Sequence, residues 1–481
     1  MKNQYIKRAS MLLMSLFIIL NSTTPVLADM LEAAEARKSI PVESNQITNW
    51  PEGPTIGAES AILMDAETGT ILYEKNIHAK EFPASTTKVL TCLVAIENSK
   101  MDEMVTFSKD AVFGIEKGSS NVGMDVGQSI TMEEAIYCIM LASANEVATA
   151  VAEHVGGTVE NFAAMMNQKA KELGCTETNY VNANGLHNDN HYTSAHDLAL
   201  ITAAYFKNEQ LQKIASTRSY EIKATATQPD TFLMSNHHKM LQGQKYYYEY
   251  VIGGKTGYTN TARQTLTTCA EKDGMKLVCV IMREESPSQF TDTKDLFEYG
   301  FSNFQKINIA DNETKYTIDN ANFFKTDHDI FGNSKNVLSL NPEGYIILPN
   351  TAIFSEAVPS LSYDGSAENV VANLSYTFEG IYVGGTTIDV AKLNTSTFEF
   401  GNPELEDLSV SDNNATDSEN TSRIFINITY IIFIVLGIIV FVFFIFVLGA
   451  FFKNYHISKR RKKKIIKKKR RYYSEFDDYN F

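Results

Sequence analysis

The spacing of apolar residues predicts a block of helices enclosed by strands from both ends of one domain. Strand alternation over 61–65 and 70–73, around a polar turn at 67–69, is typical of a β-hairpin. Helical spacing follows, and strand patterns return before one last helix. The helical segments are 87–97, 132–141, 147–154, 161–173, 195–206 and 293–300, and the later strands are 265–270 and 276–282. We therefore predict an α/β fold of the α+β type for residues 61–307, with its outer strands in a single antiparallel sheet.

Patterns on either side of this domain indicate further regions. Residues 29–60 form a polar lead-in with a short helix expected near 31–38. After residue 308 the helical period disappears, and short β-like runs are separated by Gly, Asn and Pro, which predicts a small all-β domain over 308–400. These runs are 316–318, 344–348, 369–378 and 381–390. Residues 401–423 are rich in Asn, Ser, Asp and Glu and predict an acidic linker without a core.

The first 28 residues are typical of a secretory signal peptide. Lys2, Lys7 and Arg8 give a basic start, and an apolar run follows over 11–20. Small or branched residues at 26–28 predict cleavage before Asp29. The alternative is an uncleaved N-terminal anchor, which the apolar run is short to provide.

The segment 424–452 has no charged residue and is long enough for a transmembrane helix. Two clusters of Lys and Arg follow it in the tail 453–481, which places the tail in the cytoplasm by the positive-inside rule. We expect a single-pass membrane protein with its folded domains outside. Anionic lipid is a candidate partner of the tail, and a stop-transfer signal without further role is the plainer alternative.

The net charge of the chain conceals two regions of opposite sign. The 481 residues include 43 Lys and Arg against 57 Asp and Glu, a charge of −14. The tail carries 12 basic and 3 acidic residues, whereas 29–452 carries 28 basic and 54 acidic residues. The acidic exterior disfavours a nucleic-acid partner, and a hydrophobic content of 44% excludes a largely disordered chain.

Cysteine and histidine positions predict neither a disulfide framework nor a metal motif. The five cysteines are odd in number and lack C-x-x-C spacing, so we predict small core residues. His187, His191 and His196 are close in sequence but cross an Asn/Asp-rich loop with no specified acidic partner. We predict loop-stabilising roles for these histidines and expect no metal or other cofactor.

Ser85 and Lys88 form the first candidate catalytic pair. Pro83 suits the start of a helix, on which positions i and i+3 share a face. A buried lysine held neutral could take the proton of the serine hydroxyl and so make it a nucleophile. The S-x-x-K pattern is a weak signal when it stands alone.

Ser143 and Asn145 form the second candidate element, in a break between two apolar helices. A second hydroxyl could relay a proton, and the amide could hold a substrate peptide group. S-x-N also occurs at 119–121 and 411–413, but neither copy lies between apolar helices. Context therefore selects Ser143.

Lys255, Thr256 and Gly257 form the third element, followed by Tyr258 and a predicted strand. A cation and a hydroxyl can hold a carboxylate, and a glycine lets a substrate backbone approach a strand closely. The plain alternative for this triplet alone is a charged turn before a strand.

The three elements together, in this order, match the signature of penicillin-binding proteins and serine β-lactamases. The chain resembles the low-molecular-mass D-alanyl-D-alanine carboxypeptidases, serine peptidases of the S11 type. Supporting segments are 61–65, 184–187 and 192–199. The resemblance implies a β-lactamase/transpeptidase-like domain, a β domain and a C-terminal membrane anchor. It also implies peptidoglycan stem peptides as substrates and β-lactam antibiotics as inhibitors.

The resemblance further implies roles for the candidate residues. Ser85 is the expected nucleophile, Lys88 its base, and Ser143 a proton relay to the leaving D-alanine. Asn145 is expected to hold the acyl amide, while Lys255 and Thr256 hold the terminal carboxylate. The backbone N–H groups of Ser85 and Tyr258 would form an oxyanion hole.

One position departs from the family pattern and keeps an alternative open. Members usually have an arginine about a dozen residues before a Tyr-Gly-Phe triplet, where this chain has Gln289. If that arginine helps to bind the substrate carboxylate, its absence weakens the case for strict carboxypeptidase preference. A DD-endopeptidase, which uses the same machinery, is an alternative. A β-lactamase is disfavoured because no E-x-x-L-N stretch separates Asn145 from Lys255. A non-catalytic wall-binding or sensory protein is the remaining alternative, and retention of the full signature argues against it.

Overall fold

The computed structural model describes residues 32–314, 338–363 and 369–390. The chain separates into two units, 1–395 and 396–481, and all described residues belong to the first. The predicted signal peptide, linker, apolar segment 424–452, basic tail and strand at 316–318 lie outside the described residues. Within the described part, no helix is both long and apolar enough to cross a membrane.

A five-stranded antiparallel sheet forms the centre of the larger part, as the hydrophobic pattern predicts. Its order is β2-β1-β9-β8-β7, so the N-terminal hairpin pairs with strands from the other end of the domain. The strands are β1 Ser60–Asp65, β2 Ile71–Lys75, β7 Val251–Thr259, β8 Arg263–Lys272 and β9 Met275–Glu284. β7 lies at one end of this order and pairs with β8 on one side.

Helices cover both faces of this sheet. They are α1 (32–38), α2 Lys88–Asn98, α3 Lys109–Phe113, α4 Met132–Tyr137, α5 Asn145–Gly156, α6 Val159–Glu172, α7 Ala195–Lys207, α8 Glu209–Ser216 and α9 Ser288–Asn303. Two short hairpins accompany them, formed by β3 Met104–Thr106 with β4 Ser129–Thr131 and by β5 Ser219–Ile222 with β6 Phe232–Ser235. The predicted helices are confirmed, and most of their ends lie within a few residues of the predicted ones.

Elements that were not predicted include α3 and the two short hairpins, and three further differences bear on the site. The helix expected over 132–141 ends at Tyr137 and continues as a π-helical turn, Cys138–Ala142. Helix α8 was not predicted, and Asn208 caps it by accepting hydrogen bonds from the backbone N–H groups of Gln210 and Leu211. The triplet 255–257, expected before a strand, lies inside β7.

The side chains of the sheet alternate between two cores, as the period of a strand requires. Ile62, Val278 and Val280 face the helical block, whereas Leu63 and Ile281 face α9 and the second sheet. Four of the five cysteines are buried and all are free thiols, which confirms the prediction that they are mostly core residues.

A second sheet packs against the core that contains α9. Its order is β10-β12-β15-β14-β13, with β11 paired to β15. The elements are β10 Phe304–Asn308, α10 Ile309–Asn312, β11 Leu338–Leu340, β12 Tyr345–Pro349, β13 Val358–Ser362, β14 Val370–Phe378 and β15 Ile381–Val390. β10 follows α9 directly, and the predicted domain boundary at 307 falls inside it. The two sheets therefore share a continuous core, in which the ring of Phe304 lies 5.1 Å from that of Trp50.

A buried hydrogen bond joins the second sheet to the N-terminal hairpin. The hydroxyl of Tyr345 donates to Oδ1 of Asp65 at 2.9 Å, and that oxygen also accepts from the backbone and side chain of Thr68. Asp65 is fully buried, and burial raises the pKa of its carboxyl group. The bond from Tyr345 therefore stabilises a charge that is costly to bury.

Replacement of Tyr345 by Phe should lower the free energy of unfolding by about 1–3 kcal/mol, because a buried carboxylate loses one donor. The midpoint of denaturant unfolding, followed by circular dichroism, measures this change. Tyr363→Phe is the matched control, since Tyr363 is 75% exposed and loss of its hydroxyl should change little. Equal effects of the two replacements would show that the hydrogen bond to Asp65 does not tie the sheets together.

Candidate active site

Ser85 lies on a short 3-10 helix, Ala84–Thr87, that leads directly into α2. Ala84 has a φ of +49°, which is uncommon for a residue with a side chain. Two hydroxyl groups donate to the carbonyl oxygen of Pro83, from Thr86 at 2.7 Å and from Thr265 at 2.9 Å. These bonds hold the strained turn from the helix side and from strand β8.

His191 supports the same turn through Thr87. Nδ1 of His191 accepts from the backbone N–H of Val181 at 3.1 Å, so its Nε2 must carry the proton and donate to Thr87 Oγ1 at 2.8 Å. The hydroxyl of Thr87 in turn donates to the carbonyl of Ala84 at 2.8 Å. Burial lowers the pKa of His191 to about 3, which keeps this neutral tautomer in place. The histidine therefore has the loop-stabilising role predicted for it.

Lys88 is fully buried beneath Ser85 and has three polar neighbours. Its Nζ lies 3.1 Å from Ser85 Oγ and 2.6 Å from Asn145 Oδ1, and it also bonds the carbonyl oxygen of Asn184. Burial, and then the charge of Lys255, hold the pKa of Lys88 well below its usual value. A neutral amine has two hydrogens and one lone pair. The hydrogens satisfy the two carbonyl-type oxygens, so the lone pair is left for the hydroxyl proton of Ser85.

Ser143 and Asn145 flank the point where the π-helical turn ends and α5 begins. Ser143 has a left-handed backbone with a φ of +59°, and Asn145 is the first residue of α5. The backbone N–H of Asn145 donates to the carbonyl of Ser120 at 2.9 Å, and Glu146 accepts from Val122 N–H at 2.6 Å. The break between helices predicted from the sequence is confirmed, and it places both residues in the wall of the cavity that Ser85 lines.

Lys255 lies in β7 and is 1% exposed. Its Nζ donates to the carbonyl of Thr256 at 2.8 Å, and burial lowers its pKa to about 7. In its protonated form it supplies positive charge close enough to depress the pKa of Lys88. The two lysines therefore act as an electrostatic pair in which one cation favours a neutral neighbour.

Gly257 brings β7 into contact with the serine turn. A β-carbon at this position would lie 2.9 Å from the backbone nitrogen of Ser85 and 3.0 Å from the carbonyl oxygen of Pro83. Only a glycine permits this approach without a shift of the backbone. Tyr258 follows with its side chain 50% exposed, and its hydroxyl donates to Asn260 Oδ1 at 3.1 Å.

These residues surround a cavity of about 430 Å³. Six of the eight predicted site residues line it: Ser85, Ser143, Asn145, Thr256, Gly257 and Tyr258. Lys88 and Lys255 lie behind this wall, with their amines buried. The structure thus brings all eight residues into one region. The remaining lining residues are Glu116, Lys117, Gly118, Ser119, Ser120, Gly185, Leu186, His237, Thr259, Asn260 and Gln264.

Several residues that contribute to this site were not predicted from the sequence. Asn184 does not line the cavity but accepts a hydrogen bond from Lys88 through its backbone carbonyl, which no side-chain pattern reveals. His237 lines the cavity, and burial lowers its pKa to about 4, so it is neutral near pH 7. Gln264 lies opposite Tyr258 in the register of β7 and β8, a relation that depends on strand pairing.

Gln289 lies at the position where an arginine was expected. Its Nε2 donates to Gln264 Oε1 at 3.2 Å, and Gln264 lines the cavity. The nearby arginines have carboxylate partners: Arg283 contacts Glu59 at 3.2 Å, and Arg263 makes a two-pronged contact with Glu285. The hydrogen-bonded side-chain amides of Gln264 and Gln289 therefore occupy this side of the cavity.

Comparison with known proteins identifies similar chains. Residues 47–286 match the peptidase family S11, described as D-alanyl-D-alanine carboxypeptidase. The D-alanyl-D-alanine carboxypeptidase DacF of Bacillus subtilis is 32% identical over 254 residues, which cover 52% of this chain and 63% of that protein. DacB2 of Mycobacterium tuberculosis, with the same activity in its name, is 31% identical over 258 residues, which cover 52% of this chain and 84% of that protein.

A solved structure shows the same relation in three dimensions. The DD-transpeptidase of Streptomyces K15 is 28% identical, with a TM-score of 0.50. The match covers 52% of this chain and 100% of that protein. The chain is therefore similar to a solved DD-transpeptidase across the part that carries the site.

The lysine pair generates a testable pH dependence. Protonated Lys88 cannot accept the proton of Ser85, so labelling of Ser85 by a fluorescent penicillin should rise with pH through the pKa of Lys88. Lys255→Met removes a neighbouring positive charge and should raise that pKa, moving the acid limb of the rate profile to higher pH. The measurement is the labelling rate at a series of pH values.

Lys117→Met is the control, because Lys117 lines the cavity but does not contribute to the shift at Lys88. It should leave the position of the acid limb unchanged. Slower labelling in Lys255→Met with an unmoved limb would contradict the electrostatic coupling of the two lysines.

Proposed function

Because the chain belongs to the D-alanyl-D-alanine carboxypeptidase family of serine peptidases, we propose that it removes the terminal D-alanine from peptidoglycan stem pentapeptides through an acyl-enzyme on Ser85. The family fold is the β-lactamase/transpeptidase-like α/β fold. The observation that carries the proposal is the contact of 3.1 Å between the buried amine of Lys88 and the hydroxyl of Ser85. A serine with such a base has the arrangement that nucleophilic catalysis needs.

Strand β7, at the edge of the sheet, provides the binding surface for the substrate. β7 pairs with β8 on one side, and its cavity side presents Thr256 and Tyr258. An extended stem peptide can lie along this strand with its terminal carboxylate toward Thr256 and the charge of Lys255. Asn145 holds the acyl amide from the opposite wall.

Acylation is a transfer of one proton and one acyl group. Ser85 gives its hydroxyl proton to Lys88 while its oxygen attacks the carbonyl carbon of the penultimate D-alanine. The N–H groups of Ser85 and Tyr258 stabilise the oxyanion, a contribution typically worth about 3–4 kcal/mol for one donor. Collapse of the intermediate breaks the peptide bond, and Ser143 relays a proton to the departing amine of D-alanine.

Deacylation returns the enzyme to its starting state. A water molecule gives a proton to Lys88 while its oxygen attacks the ester carbonyl carbon. Collapse of this intermediate breaks the bond to Ser85 Oγ, which takes the proton back from Lys88 and leaves as the hydroxyl. A β-lactam acylates Ser85 in the same way, but its ring-opened product should leave slowly. Glu146, the carboxylate next to Asn145, is bonded to the N–H groups of Val122 and Gly123.

A DD-endopeptidase is the second candidate function, and Gln289 is the observation that favours it. A strict carboxypeptidase needs strong recognition of the free terminal carboxylate, and here an amide pair lies where a guanidinium was expected. A cross-linked stem peptide has no free carboxylate beside the scissile bond. An enzyme that selects less strongly for a free terminal carboxylate would therefore accept a cross-linked stem peptide.

The direct test gives the full chain, purified in mild detergent, three substrates: fluorescent penicillin, a stem pentapeptide ending in D-Ala-D-Ala, and a cross-linked stem dimer. We expect stable labelling, release of free D-alanine, and loss of both in Ser85→Ala. Cleavage of the dimer in preference to the pentapeptide would favour the endopeptidase. Labelling without any cleavage would indicate a wall-binding or sensory role, and absence of labelling would refute every penicillin-recognising reading.

Ser119→Ala is the matched control for the nucleophile. Ser119 lines the same cavity and belongs to the competing S-x-N triplet at 119–121. Its replacement should leave labelling and D-alanine release close to those of the unaltered chain. A loss as large as that in Ser85→Ala would show that the assay does not distinguish the nucleophile from a cavity serine.

The proposal includes a position in the cell. The apolar segment 424–452, the basic clusters that follow it and the N-terminal signal pattern support a bacterial cell-membrane protein with its catalytic domain outside. The tail 453–481 would lie in the cytoplasm, near anionic lipid headgroups. The all-β domain, 308–400, and the linker, 401–423, would separate the active site from the membrane.

Protease treatment of intact protoplasts tests this topology. An epitope after Phe481 should survive an external protease, because a cytoplasmic tail is inaccessible, and an epitope inserted in the linker 401–423 should be digested. The mature chain should begin at Asp29 when its N-terminus is sequenced. Digestion of the C-terminal epitope in intact cells would contradict the assigned orientation.

A further inference from the structure

His78, Glu177 and His196 come together on the surface, outside the catalytic cavity. One ligand atom of each lies within 4.8 Å of the others. His78 follows β2, Glu177 lies in the loop after α6, and His196 is the second residue of α7. Because these residues are distant in sequence, no spacing motif reveals the cluster.

Backbone hydrogen bonds hold the three segments that carry these side chains. The N–H of His196 donates to the carbonyl of Ile77, the residue before His78, at 3.0 Å. A β-bridge joins Glu81 to Thr193. The cluster therefore rests on a fixed backbone.

A buried carboxylate orients the side chain of His196 and holds the backbone of Glu177. Asp197 is fully buried, and its Oδ1 lies 3.2 Å from Nδ1 of His196. Its Oδ2 accepts from the backbone N–H of Glu177 at 2.7 Å and from the hydroxyl of Thr178 at 2.7 Å. A carboxylate can only accept, so Nδ1 of His196 carries the proton and Nε2 keeps its lone pair.

This arrangement is the one by which proteins prepare a histidine to bind a metal. Ligating histidines usually donate their other N–H to a carboxylate or carbonyl, which fixes the tautomer and raises the basicity of the ligand. The ring of His78 lies 4.9 Å from that of His196, and its Nδ1 lies 3.4 Å from Glu177 Oε2. Two imidazoles and one carboxylate thus lie close enough together to share one ion.

From this geometry we propose a site for a divalent transition metal of the zinc class, bound by His78, Glu177 and His196 with Asp197 behind them. Nitrogen ligands favour zinc, cobalt, nickel or copper over magnesium and calcium, which prefer oxygen alone. His78 is exposed, which leaves an entry path and room for water as a further ligand.

The position of the site indicates a structural role. Its residues are absent from the lining of the catalytic cavity. The segments that it would cross-link nevertheless lead to the active site: Glu81 precedes the turn of Ser85, and the bridge between Asn179 and Tyr192 encloses the loop of Asn184. A bound ion would fix these segments relative to one another.

His187, His191 and His196, which lie close together in the sequence, do not together form this site. His191 uses both ring nitrogens in hydrogen bonds, and His187 contacts Asp189 and the ring of Phe82. Among the described residues, His196 alone of the three belongs to a potential metal cluster. Its partners come from other parts of the chain.

The test uses the full chain in mild detergent, without a polyhistidine tag and after treatment with a chelator. Titration with Co²⁺ should give a saturable visible d–d absorption at one equivalent, and Zn²⁺ should abolish it by displacement. Zn²⁺ should also raise Tm by about 5 °C at a large excess over Kd, because it binds the folded chain. His78→Ala and His196→Ala should each weaken Zn²⁺ binding about tenfold or more and remove most of the Tm rise.

His154→Ala is the matched control, because His154 also contacts a glutamate, Glu103, at 3.0 Å but belongs to no three-ligand cluster among the described residues. It should bind metal as the unaltered chain does. Penicillin labelling of Ser85 verifies that each variant is folded. Absence of saturable binding by the unaltered chain, or unchanged binding by the double variant His78→Ala/His196→Ala, would overturn the proposal.

Discussion

The buried amine of Lys88 is the constraint to which the rest of the site conforms. An ammonium group withdrawn from water is costly unless it is paired, and a group in this position responds by becoming neutral. A neutral amine in turn needs acceptors for its hydrogens, which Asn145 and the carbonyl of Asn184 supply. Helix α5 and the loop after α6 must therefore both reach α2. The position of Ser85 over the remaining lone pair is a consequence of the same requirement.

The second buried lysine places opposite demands on the site. Lys255 must be charged to hold a carboxylate, yet burial lowers its pKa to about 7. The charged form of Lys255 favours the neutral form of Lys88, so the two groups divide the roles of cation and base between them. A bound substrate carboxylate would raise the pKa of Lys255 again, since an opposite charge favours the ionised form. Binding and base strength are thus linked through one pair of amines.

Local patterns in the sequence predicted the parts of this arrangement that depend on near neighbours. Ser85 and Lys88 share a helical face, and Ser143 lies at a break that apolar spacing reveals. Long-range pairing determined the rest. The triplet 255–257 contains a glycine, and two more precede it, so it has little strand propensity of its own. Its place in β7 comes from its pairing with β8.

The loop between α6 and α7 shows why the remaining contributors escaped prediction. It has few regular hydrogen bonds of its own, yet its carbonyl at Asn184 contacts the buried amine of Lys88 and its His191 supports the serine turn. Gly185 lets this loop approach Ala84 where a β-carbon would collide with the backbone. Asp197 then anchors the start of α7 to the N-terminal part of the same loop through Glu177 and Thr178. The active-site geometry is therefore determined by a buried polar network in an irregular segment. Backbone carbonyls and imidazole tautomers carry that network, and neither has a periodicity that a sequence can display.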